Sequence, residues 1–197
     1  MRYSSGHRAE TRERVLKEAA KEIRAKGPDN VAVAGIMARA GLTHGGFYAH
    51  FASKDALIGE AIGTMFADAR ARSEKIDAAG DPRAVLRAYV DFYLSPAHRD
   101  SRDRGCPLPT LSGDFARSEP ATRARFEAGV VGIASRLALP LGALGYVDAE
   151  AESHALLAQL VGGVALARAV GDPVLSDAML ADAHKSIVVR YGLETAQ

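Results

Sequence analysis

The chain has 197 residues, 48% of them hydrophobic and 25% charged, a balance that supports a packed core and excludes a disordered polyelectrolyte. Its formal net charge of +1 excludes nucleic-acid binding by bulk charge, so any such role must rest on a local pattern. A single cysteine excludes an internal disulfide framework, and the opening M-R-Y-S-S-G-H-R lacks the apolar run of a signal peptide, so a cytoplasmic protein without a membrane partner is expected.

In chain order, Thr11 to Lys26 reads as a first helix, ended by Gly27-Pro28. Val33, Ile36, Met37 and Ala40 recur at helical spacing and predict a second, with Gly41 ending it and Leu42 packing back on the core. Thr43 is the expected N-cap of a short third helix whose Phe47 and Phe51, four apart, form its buried side. Ser53 caps a long helix running to about Ala79 and stopped by Gly80. Asp81-Pro82 opens the next, which ends near Ser95-Pro96. The charged stretch H-R-D-S-R-D-R reads as an exposed loop. Cys106 to Ser118 forms a short helix, Glu119-Pro120 begins one reaching Leu139-Pro140, and Asp148–Val170 and Asp172–Tyr191 complete the set. No alternating strand pattern is bounded by hairpin signals. The expected fold is all-α, with about nine helices.

Residues 33 to 57 carry the most information. Two short helices joined by a glycine turn, followed by a capped third, have the layout of a helix-turn-helix whose second helix enters the major groove. Tyr48 and His50 lie off the Phe47/Phe51 side, and Lys54 in a first turn opposes the helix dipole, which suggests an anionic partner. Gly45 and Gly46 each weaken a helix by about 1 kcal/mol, which suggests that close backbone approach is needed there.

Gly41-Leu42-Thr43, Phe47-Tyr48-x-His50-Phe51 and Ser53-Lys54-Asp55-x-Leu57 together resemble the DNA-binding signature of the tetracycline-repressor (TetR) family, and the first helix extends the resemblance over residues 8 to 60. The resemblance implies a DNA-binding head (1–52) and a helical effector-binding and dimerisation domain (53–197), linked by the helix from Ser53. It assigns phosphate contacts to Thr43, Tyr48, His50 and Lys54 and base readout to His44, with Gly45 and Gly46 beside it. Arg39 is a further candidate phosphate contact. One departure stands out: Ala32-Val33-Ala34 occupy the start of the second helix, where family members usually carry Ser or Thr. The implied function is a homodimeric regulator, a repressor bound to a palindromic operator on double-stranded DNA and released by a small apolar or electrophilic effector.

The dimer is expected through the band Ala155, Leu156, Gln159, Leu160, Gly163, Val164 and Ala167, with Ile187, Val188 and Tyr191. Tyr89, Phe92, Tyr93, Phe115 and Phe126 are candidate lining of an effector pocket. Cys106 joins them because the basic loop Arg99, Arg102, Arg104 would favour a reactive thiolate, the alternative being a small buried hydrophobe. Two other functions compete: a constitutive architectural DNA binder without effector, and a cysteine-based enzyme pairing Cys106 with His98 or His154. Neither a nucleophile elbow nor a metal-ligand spacing supports catalysis, so no enzyme activity, cofactor or metal is expected.

Overall fold

A computed structural model of the chain describes residues 5–77 and 80–194. Among them are nine α-helices and one short 3-10 helix: α1 (Ser5–Lys26), α2 (Val33–Arg39), the 3-10 segment His44–Ala49, α3 (Lys54–Asp77), α4 (Pro82–Tyr93), α5 (Pro96–Asp100), α6 (Leu108–Phe115), α7 (Pro120–Ala143), α8 (Ala149–Ala169) and α9 (Pro173–Arg190). The all-α reading holds. Ala79, the expected end of α3, lies outside the described residues.

Local chemistry sets most of the boundaries. The α2 helix ends at Gly41, whose φ of 74° few L side chains adopt, and the Leu42 N–H then reaches back to the Met37 carbonyl at 2.9 Å. Ser53 accepts the Ala56 N–H at 3.0 Å and starts α3. Asp81, Asp148 and Asp172 cap α4, α8 and α9 in the same way. At Ala32 the entry to α2 has no side-chain cap, and Asn30 bonds the Lys26 carbonyl at the end of α1 instead.

Three boundaries differ from expectation. Helix α1 starts by Ser5, so Arg8 is helical. Helix α7 continues through Pro140 to Ala143. The charged stretch after Ser95 is not a loop throughout. Its first residues form α5, with Pro96 in the first turn, the Ser95 hydroxyl accepting the His98 N–H, and His98 itself buried.

The interior has two ends joined by α3. At one end, Val15, Ala19 and Ile23 of α1 close with Ile36 and Met37 of α2, Phe47, Phe51 and Leu57. At the other, α4, α6, α7, α8 and α9 bury Leu86, Leu111, Leu137, Leu160 and Ile187. Helix α3 packs on both α1 and α7, so any tilt of α3 against the second bundle carries the first with it. Helix α7 is long and apolar enough to cross a membrane by length and composition, and it packs along α8, α3 and α4.

The band expected to join two protomers lies mostly inside one. Leu156, Leu160, Val164, Ala167, Ile187, Val188 and Tyr191 are all buried. A Cβ at Gly163 would stand 3.0 Å from Leu94 and 3.2 Å from Ala183, so this glycine seats α8 against α4 and α9. The outward side of α8 is a different set, Ala158, Gly162, Ala165 and Ala169, and nothing lies within 4 Å of a Cβ at Gly162. Period alone could not separate the two sides, because α8 is apolar on both.

Candidate nucleic-acid interface and the aromatic core behind it

The 3-10 segment is pinned from below. Phe47 and Phe51 are buried with their rings stacked 5.7 Å apart. That anchoring turns the other side to solvent: Thr43, His44 and Gly45 are exposed, and Tyr48 is 73% exposed. Thr43 has the extended backbone of an N-cap, yet its hydroxyl makes no cap bond. The expected capping role is thus absent, and the hydroxyl is left to an outside partner. The segment is a 3-10 helix rather than an α-helix, consistent with two consecutive glycines of low helical propensity. A Cβ at Gly45 would meet nothing within 4 Å, and one at Gly46 would touch only Met37 and Thr43 at ordinary distance. Packing within the chain therefore requires neither glycine.

The basic groups around this segment are positioned by the backbone they hold. Lys54 Nζ donates to the Asp29 carbonyl at 3.1 Å, tying α3 to the loop before α2. His50 is half-buried; burial, then the nearby charges of Arg8 and Arg12, lower its pKa and favour the neutral ring. Arg39, the further candidate phosphate contact, is already paired within the chain. Its guanidinium sits 2.5 Å from Glu22 and 3.9 Å from Glu18, bracing α2 on α1.

Two residues were missed. Arg8 donates to the Ala49 carbonyl, and Arg12 pairs with Glu60, bonds the His50 carbonyl and lies 4.7 Å over the Phe51 ring. Their spacing of four was the available signal, hidden because α1 was expected to start at Thr11. Arg8, Arg12, His50, Tyr48 and Lys54 thus gather around the exposed edge of the 3-10 segment.

This geometry is shared. The family model for bacterial regulatory proteins of the tetR family matches residues 15–61. Over almost the whole chain the fold matches a TetR regulator from Chloroflexus aurantiacus at 26% identity, with a TM-score of 0.77 and coverage of 93% of this chain and 94% of that one. Residues 15–61 therefore form a TetR-type DNA-binding head, and the chain as a whole has the fold of TetR-family transcriptional regulators. A TetR-family regulator from Agrobacterium tumefaciens shares the fold at 20% identity and a TM-score of 0.78, covering 93% and 98% of the two chains. The reduced form of NemR from E. coli does so at 19% identity and a TM-score of 0.79, covering 90% and 95%. No curated protein sequence matches. As a TetR-family head, residues 15–61 contain every expected DNA-contact residue.

Behind the head, the residues expected to line an effector pocket fall into two packed groups. Phe115 and Phe126 lie tilted with their centroids 4.8 Å apart, and Phe66 is 5.5 Å from Phe126. Tyr89 lies 5.8 Å from Tyr93, and the His98 ring stands between Phe92 at 5.1 Å and Tyr93 at 4.7 Å. Tyr93, Cys106, Phe115 and Phe126 are buried. Burial raises the Cys106 pKa, and hydrogen bonding to Tyr93 and the Leu108 backbone, followed by the Arg24 and Arg72 charges, only partly offsets it. The expected activation by the basic loop is not supported: Arg99 bonds Ser176 and Asp177, Arg102 bonds the Arg168 carbonyl and Arg104 is exposed, while the thiol is buried in the core. The imagined nucleophile and base pair also fails geometrically, since His98 bonds the Cys106 backbone N–H and His154 is exposed on α8.

His98 organises this region. Its Nδ1 faces the Tyr93 carbonyl at 2.7 Å and its Nε2 accepts the Cys106 N–H at 3.0 Å, which fixes a neutral ring protonated on Nδ1. Burial lowers its pKa to about 4, the Tyr93 carbonyl opposing that fall. Gly105 permits the approach, because a Cβ there would stand 2.9 Å from His98 Nε2. From α8, Arg168 donates to the carbonyls of Arg99 and His98 and to the Thr110 hydroxyl, all within 2.9 Å. Nothing in the local sequence marks Arg168 for this; it reads as an ordinary cation in a last turn.

Proposed function

We propose that the protein is a repressor that binds a palindromic operator in double-stranded DNA as a homodimer and leaves it when a small molecule binds the helical body. The observation that carries the reading is the one-sided exposure of the 3-10 segment: Phe47 and Phe51 face inward, and Thr43, His44, Gly45 and Tyr48 face outward. On this reading His44 meets a base edge, while Thr43, Tyr48, His50 and Lys54 meet phosphates. Gly45 and Gly46 let the backbone approach DNA. Arg39, already paired, braces the head from behind. Residues 1–52 form the reading unit and 53–197 the effector and dimer unit, both in the cytoplasm.

The dimer uses the outer sides of α8 and α9. Ala158, Gly162 and Ala165 offer a surface of small residues, and Val174 and Val189 are 76% and 59% exposed. Small side chains let helices approach closely, and exposed apolar ones gain from being covered. A two-fold dimer presents two heads to two half-sites.

Selection of binding sites from random duplex DNA tests the whole reading. A palindromic consensus supports it. No enrichment over bulk DNA would favour an architectural binder, for which the glycine-rich reading segment and the uncapped entry to α2 would be the reasons.

A further inference from the structure

Alongside α3 and the first half of α7 runs a groove of about 330 Å³, within the size range of small-ligand sites. Its floor is apolar, made by Phe66 of α3 and Ile133 of α7. The helices approach there because α7 lacks a side chain at Gly129, where a Cβ would stand 2.2 Å from the Phe66 ring. The groove stays open because Gly63 and Gly132 also lack one; nothing lies within 4 Å of a Cβ at either.

The rim is cationic. Arg70, Arg125 and Arg136 line the groove, and no carboxylate does. Arg136 lies 3.8 Å from Glu74 just outside. Arg70 and Arg125 are exposed and pair with no carboxylate among the described residues. The Arg125 stem and guanidinium lie 3.4–3.6 Å from where a Cβ of Gly59 would stand.

An apolar floor beside two guanidinium groups, Arg70 and Arg125, with no carboxylate partner among the described residues is complementary to one kind of molecule. Inorganic phosphate would leave Phe66 and Ile133 wet. A neutral hydrocarbon would leave Arg70 and Arg125 without a counter-ion. A planar guanidinium matches a carboxylate, and an alkyl or aryl tail matches the floor. We propose that the α3/α7 groove binds a small amphipathic organic carboxylate, with its headgroup on the cationic rim and its tail over Phe66 and Ile133. Such a ligand would clamp α3, which also packs in the head, against α7. Only that effect on DNA rests on the regulatory reading; the binding does not.

The test is calorimetric titration of the full chain, without DNA, with sodium octanoate and with 1-octanol as the uncharged control. One saturable octanoate site per chain is expected, with octanol weaker by roughly tenfold or more. Arg70→Gln/Arg125→Gln should weaken octanoate by a similar factor. Gly132→Leu, which keeps every charge and fills the groove, should abolish binding. Thermal unfolding checks that both variants fold as the parent does. No saturable binding, octanol binding as tightly as octanoate, or octanoate binding unchanged in both variants would each overturn the proposal. Because DNA is absent, that failure leaves the operator reading untouched.

Discussion

His98 and Cys106 are joined through the backbone: the imidazole Nε2 accepts the Cys106 N–H at 3.0 Å, while Nδ1 donates to the Tyr93 carbonyl at 2.7 Å. The bond from the Cys106 N–H requires the neutral ring, which ties the stability of this core to pH. The folded pKa of about 4 lies below the usual value of 6.5. The unfolded chain therefore takes up a proton first as pH falls. The stabilisation is fully present above pH 6.5, declines between 6.5 and 4, and levels off below. The difference amounts to about 3 kcal/mol at most. Urea unfolding across this range should show a smaller loss for His98→Gln than for the parent. Parallel pH profiles would mean that His98 does not titrate in this way.

The base and phosphate contacts proposed for the head separate in a salt titration. Lys54→Ala should weaken binding to every sequence and reduce the slope of log K against log salt by about 1. His44→Ala should instead relax preference at one base pair by roughly 1–3 kcal/mol. Equal loss on all sequences for both variants would mean the roles are wrongly assigned.

Gly45 offers a cleaner probe of backbone approach. The chain leaves room for a methyl group at this position, so Gly45→Ala should hold or raise thermal stability. If the backbone there meets DNA, affinity should fall while stability does not. Undiminished operator affinity in the alanine variant would remove the steric role given to this glycine.

Arg39 should behave as a brace. With Glu22 at 2.5 Å, Arg39→Ala is expected to cost up to about 1 kcal/mol of stability and leave the salt slope of DNA binding unchanged. A slope reduced by about 1 would restore Arg39 as a phosphate contact.

The outward side of α8 can be tested by sedimentation. Ala158→Arg places a charge on the exposed side and should yield a folded monomer with weakened operator binding. An unchanged dimer would move the interface elsewhere.

What the sequence determined by itself is local. Gly41 ends α2, Ser53 starts α3, Asp81, Asp148 and Asp172 cap their helices, and the Phe47/Phe51 spacing fixes which side of the reading segment is buried. These features depend on backbone conformations and hydrogen bonds spanning a few residues, so their signals survive without knowledge of neighbours. Tertiary structure decided what faces what. It turned Gly163 inward and Gly162 outward on a helix apolar all round. It took Arg39 and Arg168 from solvent into bonds with distant partners and buried Cys106 behind a basic surface loop. Burial, and with it charge state and pairing, depends on which helix lies opposite, and no local periodicity encodes that choice.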